Sequence, residues 1–144
     1  MPTDTFSTGR DITITFVTPE VGPLTLDLVT SFNAKQISSE ESPMGLDGIV
    51  RHVRFFKGWN GSFSFDRRSS VIDDYFALLE QNYWDGQSET GASMTTTIQE
   101  TNGSVTQWRY TNVLAKYDDA GDYKGDATVK QTMSFLASKR LKIA

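Results

Sequence analysis

No cysteine occurs among the 144 residues of the chain. That absence excludes a disulfide framework, a thiolate metal site and a cysteine nucleophile, and it leaves the redox compartment open. There is one histidine, His52, so no metal centre can be built from several imidazoles. Basic charge is also in deficit: 14 Lys and Arg stand against 18 Asp and Glu, a formal net charge of −4. Grip on nucleic acid comes from clustered Lys and Arg that neutralise phosphates, so this balance argues against a dedicated nucleic-acid binder. No apolar run approaches the roughly 18 to 20 residues that span a bilayer, and no membrane partner is expected. Met1 to Arg10 is polar and lacks the apolar segment of a signal peptide, which predicts a soluble protein retained in the cell that makes it. The length suits one domain, residues 1–144, with room for a core that needs no staples.

What the chain does have is period-two alternation, the mark of half-buried strands. Ile12, Ile14 and Phe16 alternate with Asp11, Thr13 and Thr15. After breakers at Pro19, Gly22 and Pro23, Leu24, Leu26, Leu28 and Phe32 alternate with Thr25, Asp27, Ser31 and Asn33, and the two strands are expected to pair as a hairpin. Lys35 to Gly48 loses the pattern and reads as a long loop, of the kind that is functional or disordered. Strand character returns at Ile49–Lys57, a bulge or turn is expected at Gly58–Gly61, and Phe63 and Phe65 then share a face. One helix is predicted over Ser70–Tyr83, with Ser70 and Asp73 as a capping-box-like start and Ile72, Phe76, Leu79 and Tyr83 as the apolar stripe. Asp73, Asp74 and Glu80 are assigned to its exposed side. A Thr-rich strand over Ala92–Thr101 meets a strand over Ser104–Tyr117 through Asn102-Gly103, a strong two-residue hairpin signal. A final strand carries Ala127, Val129, Met133, Phe135 and Ala137 on one face, followed by a short basic tail from Ser138. The fold class predicted is mainly β: an antiparallel two-sheet sandwich or barrel of about seven strands, or one sheet folded over, with one flanking helix.

The search for chemistry finds no constellation. No nucleophile elbow, P-loop or dinucleotide fingerprint is present. His52 has no acidic neighbour in sequence. Asp118, Asp119, Asp122 and Asp126 lack calcium-loop spacing and the terminal bidentate Glu, so they read as a solvated turn. The expectation is no enzyme, no catalytic residue, no metal and no cofactor. Phe55, Phe56, Trp59, Phe63 and Phe65 crowd into eleven positions, with Arg51, Arg54, Lys57, Arg67 and Arg68 around them. They admit a stacking platform for sugars or single-stranded nucleic acid. Packing is preferred. Phe55 and Phe56 are adjacent and face opposite sides of a strand, so one needs the core and the other the helix or another subunit. Phe55, Phe56 and Trp59 are therefore candidate packing or interface aromatics.

The segment from Arg54 to Arg67, RFFKGWNGSFSFDR, its sequel the lone helix ending in Tyr83-Trp84, and the closing strand Thr128–Ala137 with its basic tail resemble the tail tube proteins of bacteriophages with contractile tails. The resemblance runs from about Asp11 to Arg140 and rests on size, element order and texture. It implies a β-sandwich-like domain, homohexameric rings that stack into a hollow tube, and passage of genomic DNA through the lumen without specific binding. It implies tail sheath, baseplate and tail terminator proteins as partners, residence in the virion, and assembly in the host bacterial cytoplasm. In the family the long loop reaches the neighbouring ring, which makes Glu40, Glu41 and Met44 candidate inter-ring residues, and both termini add contacts. Asp27, Ser31 and Asn33 are candidate lumen-facing residues on a polar strand face. Lys35 and Lys130 depart from a uniformly negative wall. Type VI secretion and tailocin tubes share the fold and stand as an alternative. A monomeric β-sandwich binding module for carbohydrate or single-stranded nucleic acid is a second.

Overall fold

The computed structural model describes residues 12–24 and 28–144. In chain order these are β1 (Ile12–Thr18), β2 (Gly22–Leu24), β3 (Leu28–Glu41), β4 (Val53–Asp66), α1 (Val71–Trp84), β5 (Ala92–Gln99), β6 (Val105–Asp119), β7 (Lys130–Ala137) and β8 (Lys139–Lys142). The strands form one antiparallel sheet in the order β2-β1-β5-β6-β7-β4-β3, with β8 also on β6. The mainly β class with a single helix agrees with the alternation in the sequence.

The sheet folds over along β6. Its first part pairs with β5 from Gln99↔Val105 to Ala92↔Val113, and its last part pairs with β7 from Leu114↔Leu136 to Asp119↔Thr132. The change of partner falls at Asn112, which holds φ at 51°, the one positive φ outside glycine among the described residues. The β5–β6 register slips by one residue here, the signature of a bulge that bends a strand. Asparagine tolerates this conformation better than other non-glycine residues. Its Nδ2 donates to Ser138 Oγ at 2.9 Å, at the break between β7 and β8, so both strands of this long hairpin turn the corner together.

The fold brings two inner faces together. Phe16 and Met94 come from one half, Phe63, Phe65, Met133 and Phe135 from the other, and Tyr110 and Val113 from β6; all are buried. Phe63 lies 6.3 Å from Phe135 and 6.4 Å from Phe65 between ring centroids. Gly61 is required at this centre. A Cβ there would run into the Asn33 carbonyl oxygen and would sit 2.9 Å from Phe135 Cε1.

Helix α1 closes the open end of the fold through Ile72 and Tyr75, with Phe16 against Tyr75 and Phe76 stacked on Tyr117 at 4.7 Å. Tyr75 was not in the expected stripe, and Tyr83 lies exposed beyond it. Ser70 precedes the helix but makes no side-chain cap. Asp73, expected on the solvent side, turns inward instead: its carboxylate accepts from Tyr117 Oη at 2.5 Å, Arg67 Nε at 3.0 Å and Gln131 Nε2 at 3.2 Å. Three donors from three elements outbid a free backbone N–H. Partial burial pushes the Asp73 carboxyl up, but the bonds from Tyr117 and Arg67 outweigh it and hold the pKa below its ordinary value.

Several local expectations differ from the structure. Of the strand expected to form a hairpin with β1, only the three residues of β2 pair with it; the longer β3 turns away to pair with β4, and β5 takes the other side of β1. A bulge at Thr30 places Val29 and Phe32 together against the core. Gly58–Gly61 is no turn: β4 runs through it as one 14-residue strand, with a bulge opposite Ile37 and Ser38 and Gly58 at φ 111°. The loop expected at 35–48 is strand as far as Glu41, because cross-strand pairing with β4 overrides the weak strand propensity of Ser38–Glu41. At Asn102-Gly103 only Gly103 has positive φ; Glu100 N donates to Ser104 O at 2.9 Å, so three residues rather than two make the turn. The basic tail forms β8 on β6.

Two outcomes are expected. Gly61→Ala should lower stability by about 2–3 kcal/mol in urea unfolding, since backbone must move to admit the methyl; an unchanged midpoint would contradict the close approach. Asp73→Asn should cost about 2–3 kcal/mol at neutral pH through loss of charge-assisted bonds. A lowered native pKa adds stability above the unfolded value near 4 and loses it as pH falls through the native one, so the gap between wild type and variant should narrow below about pH 4. A gap that stays constant with pH would show that charge plays no part.

Candidate functional site

No catalytic group is assembled among the described residues. His52 is exposed and its Nδ1 meets only Ser42 Oγ, at 2.8 Å. No cluster of three or more metal-ligating side chains exists among them. A hollow of about 470 Å³ beside α1 is lined by Asp73, Glu80 and Glu89 together with Phe76, Leu79 and Tyr117. Asp73 is already committed to three donors. Burial, then the nearby Glu20, raises the pKa of Glu89. No nucleophile or positioned water-activating pair accompanies it.

The surfaces that stand out belong to the half-sheet β6-β7-β4-β3. Its face away from the core is a set of cross-strand rows. Asn33, Ser62, Ser134 and Lys116 make one row; Ser31, Ser64, Thr132 and Asp119 make the next; Asp66 stands opposite Lys130 beyond them. Asn33 Oδ1 accepts from Ser62 N at 3.2 Å, and Ser64 Oγ is 3.5 Å from Thr132 Oγ1. Ser31 and Asn33 thus lie on this face and are exposed; Asp27 lies outside the described residues. Lys35, Lys116 and Lys130 share this face with Asp66 and Asp119, and among the described residues further acid collects elsewhere, as on α1 with Asp73, Asp74 and Glu80.

The two borders of this half-sheet are open. Among the described residues no strand lies beyond β3, and β6 after Val113 has only β7 beside it. Directions alternate across four antiparallel strands, so the two bordering strands run oppositely. Placed edge to edge, two copies would continue the antiparallel order. A bare 14-residue edge is a pairing liability unless something covers it.

β3 and β4 continue past the body as a two-stranded arm. β7 accompanies β4 only from Trp59 to Asp66, whereas β3 follows it out to Glu41↔Val53. Glu40 stands opposite Arg54. The tip is organised by Arg51 Nη2 on Asp47 at 3.0 Å, by Gly45 N on Ile49 O at 3.1 Å and by the Met44↔Val50 bridge. The hydrogen bond from Arg51, then that from Ile49 N–H, holds the Asp47 pKa below its ordinary value. Glu40, Glu41 and Met44 all lie on the arm and are exposed. So are Val53, Phe55 and Phe56; Phe56 is 66% exposed and Leu46 wholly so. Neither the core nor α1 covers Phe55 or Phe56. An isolated two-stranded hairpin is marginal in water, and this one exposes large apolar side chains on both of its faces.

Trp59 behaves differently from its neighbours. It is half-buried, 6.1 Å from Tyr110, and lies under Arg140 of β8. The Arg140 guanidinium sits 3.6 Å from the Trp108 centroid and 4.5 Å from that of Trp59. Trp59, Trp108 and Phe56 therefore form no shared exposed platform of the sort a sugar or single strand would need. Sequence reading missed Arg140, Gln131 and Asp73. For Arg140 the signal available was its two-residue phase with Lys142 opposite Trp108 and Tyr110; Asp73 has Arg67 six positions away, but Tyr117 lies 44 positions and Gln131 58 positions from it.

Comparison with known proteins agrees with this geometry at the level of fold. The sequence matches no family model and no curated protein. Among solved structures, a chain of the sheath-tube complex of an extracellular contractile injection system, PVC, in the extended state superposes with TM-score 0.67 at 9% identity, over 91% of this chain and 88% of that one. The SPP1 tail tube matches with TM-score 0.57 at 11% identity, over 94% and 78%. The tail of an empty GTA particle, determined with helical refinement and C6 symmetry, matches with TM-score 0.56 at 11% identity, over 96% and 100%. The chain has the fold of these tail and tube proteins.

Replacing Arg140 by Lys should weaken the hold of β8. A planar guanidinium stacks on indole where an ammonium does not, and about 1 kcal/mol of stability together with a shift in tryptophan emission is expected to be lost. Unaltered emission and unfolding midpoint would mean that the stack contributes nothing.

Proposed function

We propose that this chain is the subunit of a phage-type tail tube, in which hexameric rings stack into a conduit for genomic DNA. The observation that carries this reading is the half-sheet β6-β7-β4-β3, with its hydroxyl- and amide-rich outer face and its two open, oppositely directed edges. Pairing β3 of one copy with the end of β6 of the next turns an aggregation liability into a head-to-tail ring contact. Six copies are the number suggested by the C6 symmetry of the GTA tail. With strands about 4.8 Å apart, four from each of six copies make a circumference of roughly 115 Å and a bore of roughly 37 Å between backbones. Strand tilt widens it further. Side chains of Ser and Asn size leave room inside for a duplex.

In this arrangement Ser31 and Asn33 face the lumen. The β3–β4 arm, with Glu40, Glu41 and Met44 near its tip and Phe55 and Phe56 along it, docks on the adjoining ring. Its unmet apolar surface supports that role. The particle's tail is the proposed location, with sheath, baseplate and terminator proteins as the neighbours of the tube.

The test is excision of Ser39–Phe55, with Ser38 and Phe56 joined through Asn-Gly. These two residues already pair across the strands, so the body should keep its circular dichroism and unfold cooperatively. Wild-type protein should show rings or hollow tubes by electron microscopy, and the excised chain should stop at rings or monomers. Tubes of normal length from the excised chain would remove the arm from stacking. A wild type that stays monomeric at every concentration, even with a baseplate as seed, would overturn the conduit reading.

A further inference from the structure

The outer face of the half-sheet holds one hollow that its role as a smooth wall does not explain. It measures about 320 Å³ and is lined by Asn33, Lys35, Asn60, Ser62, Lys116 and Ser134 among polar residues. Lys35 stands on β3 and Lys116 on β6, at the two sides of the four-stranded floor, and both are exposed. Between them Asn60 lies on the Lys35 row, and Asn33, Ser62 and Ser134 on the Lys116 row. Among the described residues no carboxylate lines the hollow, although the chain as a whole carries a net charge of −4. The nearest acids on this face, Asp66 and Asp119, stand at least one row further along the strands.

Two lysines at the sides of a floor of hydroxyls and amides, with Leu136 beside Asn60, suit a phosphate oxyanion. Lysine supplies point charge without fixed geometry. Ser hydroxyls and Asn amides can donate to phosphate oxygens from the floor. Asn and Ser cannot by themselves decide between an anion and water; the paired lysines and the exclusion of acid do.

We propose that this hollow is a weak contact site for the phosphodiester backbone of a polynucleotide, independent of base sequence. The assignment rests on this face being the conduit wall. It deepens that reading: the wall touches its cargo at one repeated cationic point per subunit, while Asp66, Asp119 and Lys130 stand further along the strands. Two lysines neutralise at most two phosphates, so each contact is weak, salt-sensitive and quickly broken, as a sliding cargo requires.

The site is tested on the full soluble chain, with assembled tubes removed by sedimentation. A short random-sequence DNA duplex is titrated at several salt concentrations and followed by NMR at Asn33, Asn60 and the lysine side chains. Saturable shifts confined to this face are expected, with a log–log salt slope of about −2. Lys35→Gln with Lys116→Gln should weaken binding at least about tenfold and flatten that slope. Lys124→Gln with Lys139→Gln, which removes equal charge elsewhere, should leave both unchanged. Equal losses in both double variants would reduce the effect to net charge and overturn the site. Inorganic phosphate is titrated in parallel: saturation by phosphate without any response to duplex would make this a small-anion pocket and overturn the polynucleotide assignment. Tube formation is scored separately by electron microscopy. Tubes without duplex binding overturn this site and leave the conduit standing; binding without tubes supports the site and overturns the conduit.

Discussion

Everything in this fold depends on the corner in β6. A flat eight-stranded sheet would leave one apolar face in water. The positive φ at Asn112, the bulge beside it and the Asn112–Ser138 hydrogen bond let the sheet close on itself. Phe16 and Met94 can then meet Phe63, Phe65 and Phe135. Burying a side chain of this size contributes about 1.5–3 kcal/mol, so the corner converts an unstable sheet into a core. Gly61 and Gly58 serve the same closure by letting backbones approach where a Cβ would strike carbonyl oxygen.

The same corner sorts the surface. Once the inner faces are used up, the outer face of β6-β7-β4-β3 carries hydroxyls, amides and lysines beside Asp66, Asp119, Leu114 and Leu136, and among the described residues the outer edge of β3 and that of β6 after Val113 remain open. Polar clamps hold the ends. Asp73 draws Arg67, Tyr117 and Gln131 onto α1, and Arg140 pins β8 over Trp59 and Trp108. Asp73 is taken up by its three donors and the Arg140 guanidinium lies over two indoles, while Gln131 Oε1 and Arg140 Nε are buried without a hydrogen-bond partner. Burial, followed by the Asp73 carboxylate, pushes the Tyr117 phenol well above its ordinary pKa, so it acts as a donor at all physiological pH.

Among the described residues the 14-residue edge of β3 is open, and the arm beyond the body carries bare Phe, Met and Leu. Solved tail and tube proteins share the fold at identities near a tenth. So little sequence identity at preserved topology is physically reasonable. Strand pairing uses backbone groups common to all residues, and the faces ask only for apolar or polar character.

Alternation alone determined the β class, the inward set Ile14, Phe16, Phe63, Phe65, Met133 and Phe135, the outward pair Ser31 and Asn33 and the position of the single helix. These are local properties, fixed by a period of two or 3.6. Tertiary structure alone decided the rest. It drew Ser38–Glu41 into strand through pairing with Val53–Phe56, carried β4 straight through Gly58–Gly61, and split β1's expected partner into β2 and β3. It turned Asp73 inward toward Tyr117, 44 positions away, and set the tail as β8 beneath the reach of Trp108. In each case weak local preference met a long-range partner. The free energy of a cross-strand ladder or a charge-assisted bond exceeds the few tenths of a kcal/mol that separate local alternatives.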